Sequence, residues 1–195
     1  MKSGFPFPSL LALLLCAIPV PLSAGQSKAD IKVFQATLPD AEKGDAVAQC
    51  ALGACYESGR GVAPDPGEAV KWYSRAAKQG DALAQSALGA CYEKGRGVAK
   101  DFDEAVKWYS KSAAQGCPRG QCDLAACYVN GHGFPADYVA AYKWYSLAAA
   151  NGYPPARKAL SALERRMTPD RLAEARRALA APPPEKKTPP KRDAE

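Results

Sequence analysis

Cysteine and histidine are the residues of this 195-residue chain best suited to chemistry, and their spacing decides what chemistry is open to them. A thiol activated by an imidazole can act as a nucleophile, and cysteines grouped with a histidine can hold zinc. The sole histidine, His132, sits between Gly131 and Gly133, a setting that predicts a solvated loop residue. With one histidine, a zinc centre needs three converging cysteines. Cys50/Cys55, Cys117/Cys122 and Cys122/Cys127 are each five apart, and no Cys-x-x-Cys pair occurs. No metal or cofactor is expected. Nor does any Ser/His/Asp set, carboxylate pair or metal motif favour an enzyme. Gly59-Arg-Gly-Val, Gly95-Arg-Gly-Val and Gly131-His-Gly-Phe look superficially like phosphate loops. None follows a strand or ends in lysine plus a hydroxyl, so turn chemistry explains them and their arginines are expected to be exposed.

The thiols divide by position. Cys55, Cys91 and Cys127 each precede a tyrosine at a constant step and read as small, buried, unpaired hydrophobes. Cys50 and Cys122 share another phase, taken by Ser86 between them. Five residues along a helix separate Cα atoms by about 7.5–9 Å, beyond disulfide reach. Cys50 and Cys55 therefore cannot bond within one helix. Loss of Cys16 with an N-terminal leader leaves six cysteines, an even number that permits disulfides in an exported chain, and Cys117 is left open.

The elements that position these side chains follow from a 36-residue period. Gly44, Gly80, Gly116 and Gly152 mark it, as do Leu52/Leu88/Leu124, Tyr56/Tyr92/Tyr128 and Trp72/Trp108/Trp144. A period of this length means stacked supersecondary units. Each unit divides into two helices. Ala48, Leu52, Cys55 and Tyr56 are spaced for a helix that Gly59 stops. Asp65, Pro66 and Glu68 then open the second helix as cap, first-turn proline and cap partner, and Asp101 with Glu104 repeats the signal. Asp137 repeats only the cap, because Ala140 replaces the glutamate. No strand alternation occurs, so the fold class is all-α, a solenoid of antiparallel helix pairs. One tryptophan per unit, at the phase of alanines, is expected to fill the core rather than form a ligand platform. Gly53 and Gly89 sit mid-helix, at a cost of about 1 kcal/mol against alanine, and predict a close helix approach.

The ends differ from the middle, as an array with two water-facing ends requires. Residues 1–24 read as a secretory signal: Lys2, then an apolar run from Leu10 to Ile18, then Ser23-Ala24 before Gly25. The run is far short of the ~20 residues of a membrane span. Residues 25–43 form a capping half-repeat, with a kink expected at Pro39. Repeats occupy 44–79, 80–115 and 116–151, capping helices 152–181, and a disordered Pro/Lys/Glu tail 182–195. Thr168-Pro169 opens the last helix, which carries Leu172, Ala175 and Leu179 on one face. Arg157, Lys158, Arg165, Arg166, Arg171, Arg176 and Arg177 make this region basic, and a solvated cap accounts for them. The formal net charge of +6 does not call for nucleic acid.

The segments from Gly44 to Val62, Glu68 to Ala77 and Gly80 to Ala114 resemble the Sel-1-like repeat family, relatives of the tetratricopeptide repeat. The third copy departs at Cys117-Pro118, Ala125, His132 and Phe134. The closing Met167–Ala175 segment is similar to the final helix of bacterial members. The resemblance implies a right-handed α-solenoid that scaffolds protein complexes, exported to a bacterial periplasm or beyond. Disulfide-rich relatives use a cysteine late in the second helix, where this chain has Ala77, Ala113 and Ala149.

A candidate partner face follows from helical phase. Val47, Cys50, Ala54 and Glu57 form a stripe in which Cys50 lies 200° from the core residue Leu52. The matching residues are Leu83, Ser86, Ala90 and Glu93, then Arg119, Cys122, Ala126 and Val129. Stacking is expected to join them into one groove, the concave ligand face of tetratricopeptide relatives. Val47, Leu83 and Val129 would serve as apolar footholds. The expected protein is a monomeric exported adaptor for a protein or peptide. A thiol-dependent or weakly hydrolytic enzyme and a purely structural spacer are the alternatives.

Overall fold

Short acidic side chains start the helices. The computed structural model describes residues 27–180; the expected signal segment and tail lie outside the described residues. Asp45 and Asp81 accept the N–H groups of Ala48 and Ala84, each at 2.6 Å, and open α2 (Ala46–Ser58) and α4 (Ala82–Lys94). Asp65 and Asp101 accept from the N–H of Glu68 and Glu104 at 3.0 Å, opening α3 (Pro66–Lys78) and α5 (Phe102–Ala114). Asp137 does the same for Val139 and Ala140 in α7 (Tyr138–Ala150). In α6 (Pro118–Asn130), Cys117 stands where the other first helices have aspartate, and no side chain caps the helix. Glycine ends the first helices: Gly95 takes φ 66° and donates its N–H to the Cys91 carbonyl.

Only half of the expected pairing of Glu68 with its cap is made: Asp65 accepts the Glu68 N–H, but the Glu68 side chain does not return to the cap N–H. Glu68 and Glu104 instead accept from Lys71 and Lys107 at 2.6 Å. The N–H of Asp65 and of Asp101 donates across the pair, to the carbonyls of Tyr56 and Tyr92 at 2.9 and 3.0 Å. Each second helix is thus anchored to the end of the first.

With α1 (Lys28–Lys43), α8 (Pro154–Glu164) and α9 (Pro169–Ala180), the described residues hold nine helices and no strand. The chain is an all-α solenoid. Each helix packs on the next from α1 to α8, and α9 folds back onto α7. The α1 helix is continuous through Pro39, where the sequence predicts a kink. The α4 helix also meets α6, and Arg119 of α6 lines one groove with residues of α2, so the first helices line the inner side of the curve. At the far end, Ala156, Leu163 and Ala175 are buried in one cluster with Tyr142 and Tyr145, so α8 and α9 cover the last repeat. Glu164 ties them to the last repeat, accepting from Tyr142 at 3.4 Å and pairing with Arg176 at 3.6 Å.

Within a pair, the close approach expected at the mid-helix glycines is present. A methyl on Gly53 or Gly89 would lie 2.7 Å from Cδ1 of Tyr73 or Tyr109. Those tyrosines are 2% and 1% exposed, so the rings have nowhere to retreat. Trp72 is buried, while Trp108 and Trp144 are half-buried at the edge of the core. The guanidinium of Arg75 lies 4.4 Å over Trp72 and the ammonium of Lys111 lies 4.1 Å over Trp108, closing their outer faces.

Between pairs, a ladder of buried amides recurs. Gln49, Gln85 and Gln121 each donate to a carbonyl of the preceding unit, Ala41, Ala77 and Ala113, at 3.0, 3.2 and 3.5 Å. Each also accepts from an amide at the end of its own second helix: Gln79, Gln115 or Asn151.

The glycine contact sets the first test. Gly89→Ala gains about 1 kcal/mol of helix propensity, but overpacking a fixed ring costs roughly 1–3 kcal/mol. We expect a net loss of stability in urea unfolding, and the same for Gly53→Ala. Ala125→Gly, at the third copy of the position, should lose about 1 kcal/mol because it deletes a fully buried methyl from a helix.

Candidate functional site

The inner wall is built from α2, α4 and α6, and the twelve stripe residues divide sharply on it. Val47 and Leu83 are 69% and 56% exposed, and Ala54 and Arg119 are also exposed. The expectation that all twelve line one groove is corrected at Ser86, which is fully buried and donates to Asp123 Oδ2 of α6 at 2.8 Å. Cys50 packs against the core of the first two units, Ala90 against that of the second and third, and Cys122, Ala126 and Val129 against that of the C-terminal end. The reason is geometric. A first helix inside a stack touches its own partner and both neighbouring units, so its buried arc is wider than a single pairwise contact leaves it.

Part of the stripe nonetheless converges. Ala54 and Glu57 of α2, Val33 of α1, Tyr73 of α3 and Arg119 of α6 line one open groove of ≈ 430 Å³. Val47 borders a second groove of ≈ 640 Å³, and Ala51 lies between the two, lining both. Val33 is 52% exposed, so this N-terminal part of the wall is apolar and open to water. Two cations line the first groove: Arg60, paired with Asp30 at 3.3 Å, and Arg119, held only loosely by Asp123 at 3.8 Å.

Glu57 and Glu93 have a second role that spacing alone did not reveal. Glu57 Oε2 accepts the hydroxyl of Tyr73 at 2.9 Å, and Glu57 Oε1 accepts from Arg96 of the next unit at 3.3 Å. Glu93 accepts from Tyr109 at 2.9 Å, and its other oxygen faces Nδ1 of His132 at 3.3 Å. At the first junction Arg60 pairs with Asp30 at 3.3 Å. The loop arginines are exposed, as expected, yet each reaches back to a carboxylate of an earlier helix, Arg60 to Asp30 of α1 and Arg96 to Glu57 of α2. His132 is corrected: it is half-buried, stacked on Phe102 with ring centroids 4.0 Å apart, and directed at Glu93. A signal was present in the sequence. The third unit loses Glu (Val129) and Gly (Ala125) together, and Tyr145 makes no such bond among the described residues.

Burial governs the thiols. All six cysteines of the described residues are unbonded; Cys91, Cys117 and Cys127 are buried, and Cys55 is half-buried. Burial, reinforced by Glu93 and Asp123, pushes the Cys127 thiol up to about 12. Burial also raises Cys50 to about 12, Cys91 to about 11 and Cys122 to about 11. Asp123 lies above the usual carboxylate range because burial outweighs the opposing Ser86 bond and the Arg119 charge. Among the described residues no helix is long and apolar enough to cross a membrane.

These thiols give a pH dependence with a definite sign. The folded chain keeps protons that an unfolded chain releases near the ordinary thiol value of 9.0. The folded state therefore binds more protons, and stability falls as pH rises from about 9 toward about 12. Urea midpoints should decline through that window. Replacing Cys127 with alanine should flatten the decline while lowering the midpoint at neutral pH.

Comparison with known proteins agrees with this architecture. A crystal structure of a protective antigen of uropathogenic Escherichia coli, displaying an SLR fold, superposes with TM-score 0.69 at 32% identity, over 75% of this chain and 31% of that one. A Sel1 repeat protein from Oxalobacter formigenes gives TM-score 0.58 at 36% identity, over 68% of this chain and 58% of the other. Cysteine-rich protein B of Helicobacter pylori shares the fold at 22% identity and TM-score 0.54, over 71% of this chain and all of its own. This chain thus spans about a third of the length of the first and little more than half of the second. No curated protein sequence matches it. The Sel1 repeat model matches residues 46–81, 82–117 and 118–153. With three consecutive matches over more than half its length, in a stack of helix pairs, the chain belongs to the Sel1 repeat family, whose members are generally scaffolds for protein interaction.

Proposed function

We propose that this chain is a monomeric adaptor, exported to a bacterial periplasm or beyond, that holds a protein or peptide segment along the inner wall of its first helices. One observation carries the reading: side chains of α1, α2, α3 and α6, far apart in sequence, meet around a single open groove. Val33 and Arg119 line that groove, Val47 lines the adjoining one, and Leu83 is exposed on the next first helix, so the wall favours an extended segment with apolar side chains for Val33, Val47 and Leu83 and an acidic group for Arg119. Export rests on Lys2, the Leu10–Ile18 run and the Ser23-Ala24 step, and predicts a mature chain that begins at Gly25. A thiol enzyme is disfavoured, because raised thiols are poor nucleophiles near neutral pH.

The test is capture of a partner from envelope extract, followed by quantitative binding of that partner. Val47→Glu combined with Leu83→Glu should weaken binding at least tenfold while leaving the circular dichroism spectrum helical. A folded double variant that binds normally would move the site off the inner wall. Sequencing the exported chain from its N-terminus checks the cleavage step; a start at Met1 in the envelope fraction would contradict it.

A further inference from the structure

The three inter-unit junctions are chemically parallel, and the third differs in a way that changes what it can bind. At each, a loop residue of one unit meets a carboxylate of the unit before it, or of α1 at the first junction, with a cysteine close by. The sets are Asp30, Cys55 and Arg60, then Glu57, Cys91 and Arg96, then Glu93, Cys127 and His132. Arginine is a permanent cation with no lone pair to offer. Histidine in its place turns an ion pair into a set of three donors.

We propose that Glu93, Cys127 and His132 form a binding site for a borderline-soft divalent transition ion, with Zn2+ the expected occupant. Their sulfur, nitrogen and oxygen donors all lie within 4.8 Å of one another. Metal–ligand bonds of 2.0–2.3 Å in a tetrahedron place donors about 3.3–3.8 Å apart, and Glu93 Oε1 is already 3.3 Å from His132 Nδ1. The surroundings orient the donors. The Tyr109 hydroxyl occupies Glu93 Oε2 and turns Oε1 toward His132 Nδ1, the pair that the ion would bridge. Phe102 fixes the imidazole plane at 23° to its own ring. Such outer contacts are what hold metal ligands in register. Cys127 is fully buried, while Glu93 and His132 are part-exposed at the loop, which gives the ion an approach from solvent.

Charge also balances. On binding, the Cys127 thiol releases its proton to solvent as the metal–sulfur bond forms. Thiolate and carboxylate then supply two negative charges against the divalent ion, with a neutral imidazole as third ligand. The ion takes over the place of the guanidinium that Arg96 brings to Glu57. Three protein ligands leave one tetrahedral position for water.

The test uses the full reduced chain, stripped with chelator and titrated with Co2+. We expect one equivalent to produce a sulfur-to-cobalt charge-transfer band in the near ultraviolet together with tetrahedral ligand-field bands, and Zn2+ to bleach both. Cys127→Ser and His132→Arg should abolish the bands. The arginine is the residue the other two junctions use, so that variant keeps a junction chemistry this fold already carries. Cys91→Ser, the matching thiol one junction earlier, should keep the bands. Should the guanidinium disturb the fold, His132→Ala answers the same question, with circular dichroism as the check. Absence of the charge-transfer band in the wild-type chain overturns the proposal, as does its persistence in a folded His132 variant.

Discussion

The separation of the two helices in a unit depends on one contact, the face of a tyrosine ring laid where the opposite helix has no side chain. Tyr73 over Gly53 and Tyr109 over Gly89 bring the backbones closer than any side chain would allow. Much else follows from that distance. The ring's hydroxyl is delivered to Glu57 or Glu93, and the same carboxylate then receives the loop cation of the next unit. The intra-pair and inter-pair contacts are therefore linked through a single side chain per unit. The third unit, with Ala125 and Val129, lacks both parts and relies on packing against α8 and α9 instead.

The architecture was largely legible in the sequence because a 36-residue period multiplies each local signal. A lone capping aspartate or Gly-x-Gly turn is weak, but three in phase (Asp65, Asp101 and Asp137; Gly59, Gly95 and Gly131) fix helix starts and stops. The aspartate caps, the glycine ends and the close approach at Gly53 and Gly89 were all readable in this way. Helical phase was a poorer guide to exposure. It divides a helix into a buried and an open side, and so placed Ser86 beside Val47; inside a stack a third contact surface exists, and Ser86 lies in it against Asp123.

What could not be read were partners across units. Arg96 and Glu57 are 39 residues apart, His132 and Glu93 likewise, and nothing local joins them. His132 between two glycines looks like solvent-facing loop, yet the superhelix brings that loop against the preceding unit's helix, where Phe102 and Glu93 receive it. Helical phase marks Cys55, Cys91 and Cys127 as small hydrophobes. That fits the burial of Cys91 and Cys127, less that of half-buried Cys55, but phase says nothing of neighbours, and those of Cys127 are Glu93 and His132.

The buried amide ladder constrains how such a chain can change length. Gln85 touches a carbonyl of the unit before it and an amide at the far end of its own pair, eight residues back and 30 residues on. Both distances in sequence must survive for both bonds to close. One residue added inside either helix rotates every later side chain by about 100° and strands two buried polar groups. A whole unit added or lost leaves each rung with an equivalent partner. Growth of the array is thus quantised: the molecule can be made longer or shorter in steps of one helix pair, and the hydrogen-bond register acts as the ruler that rejects anything between.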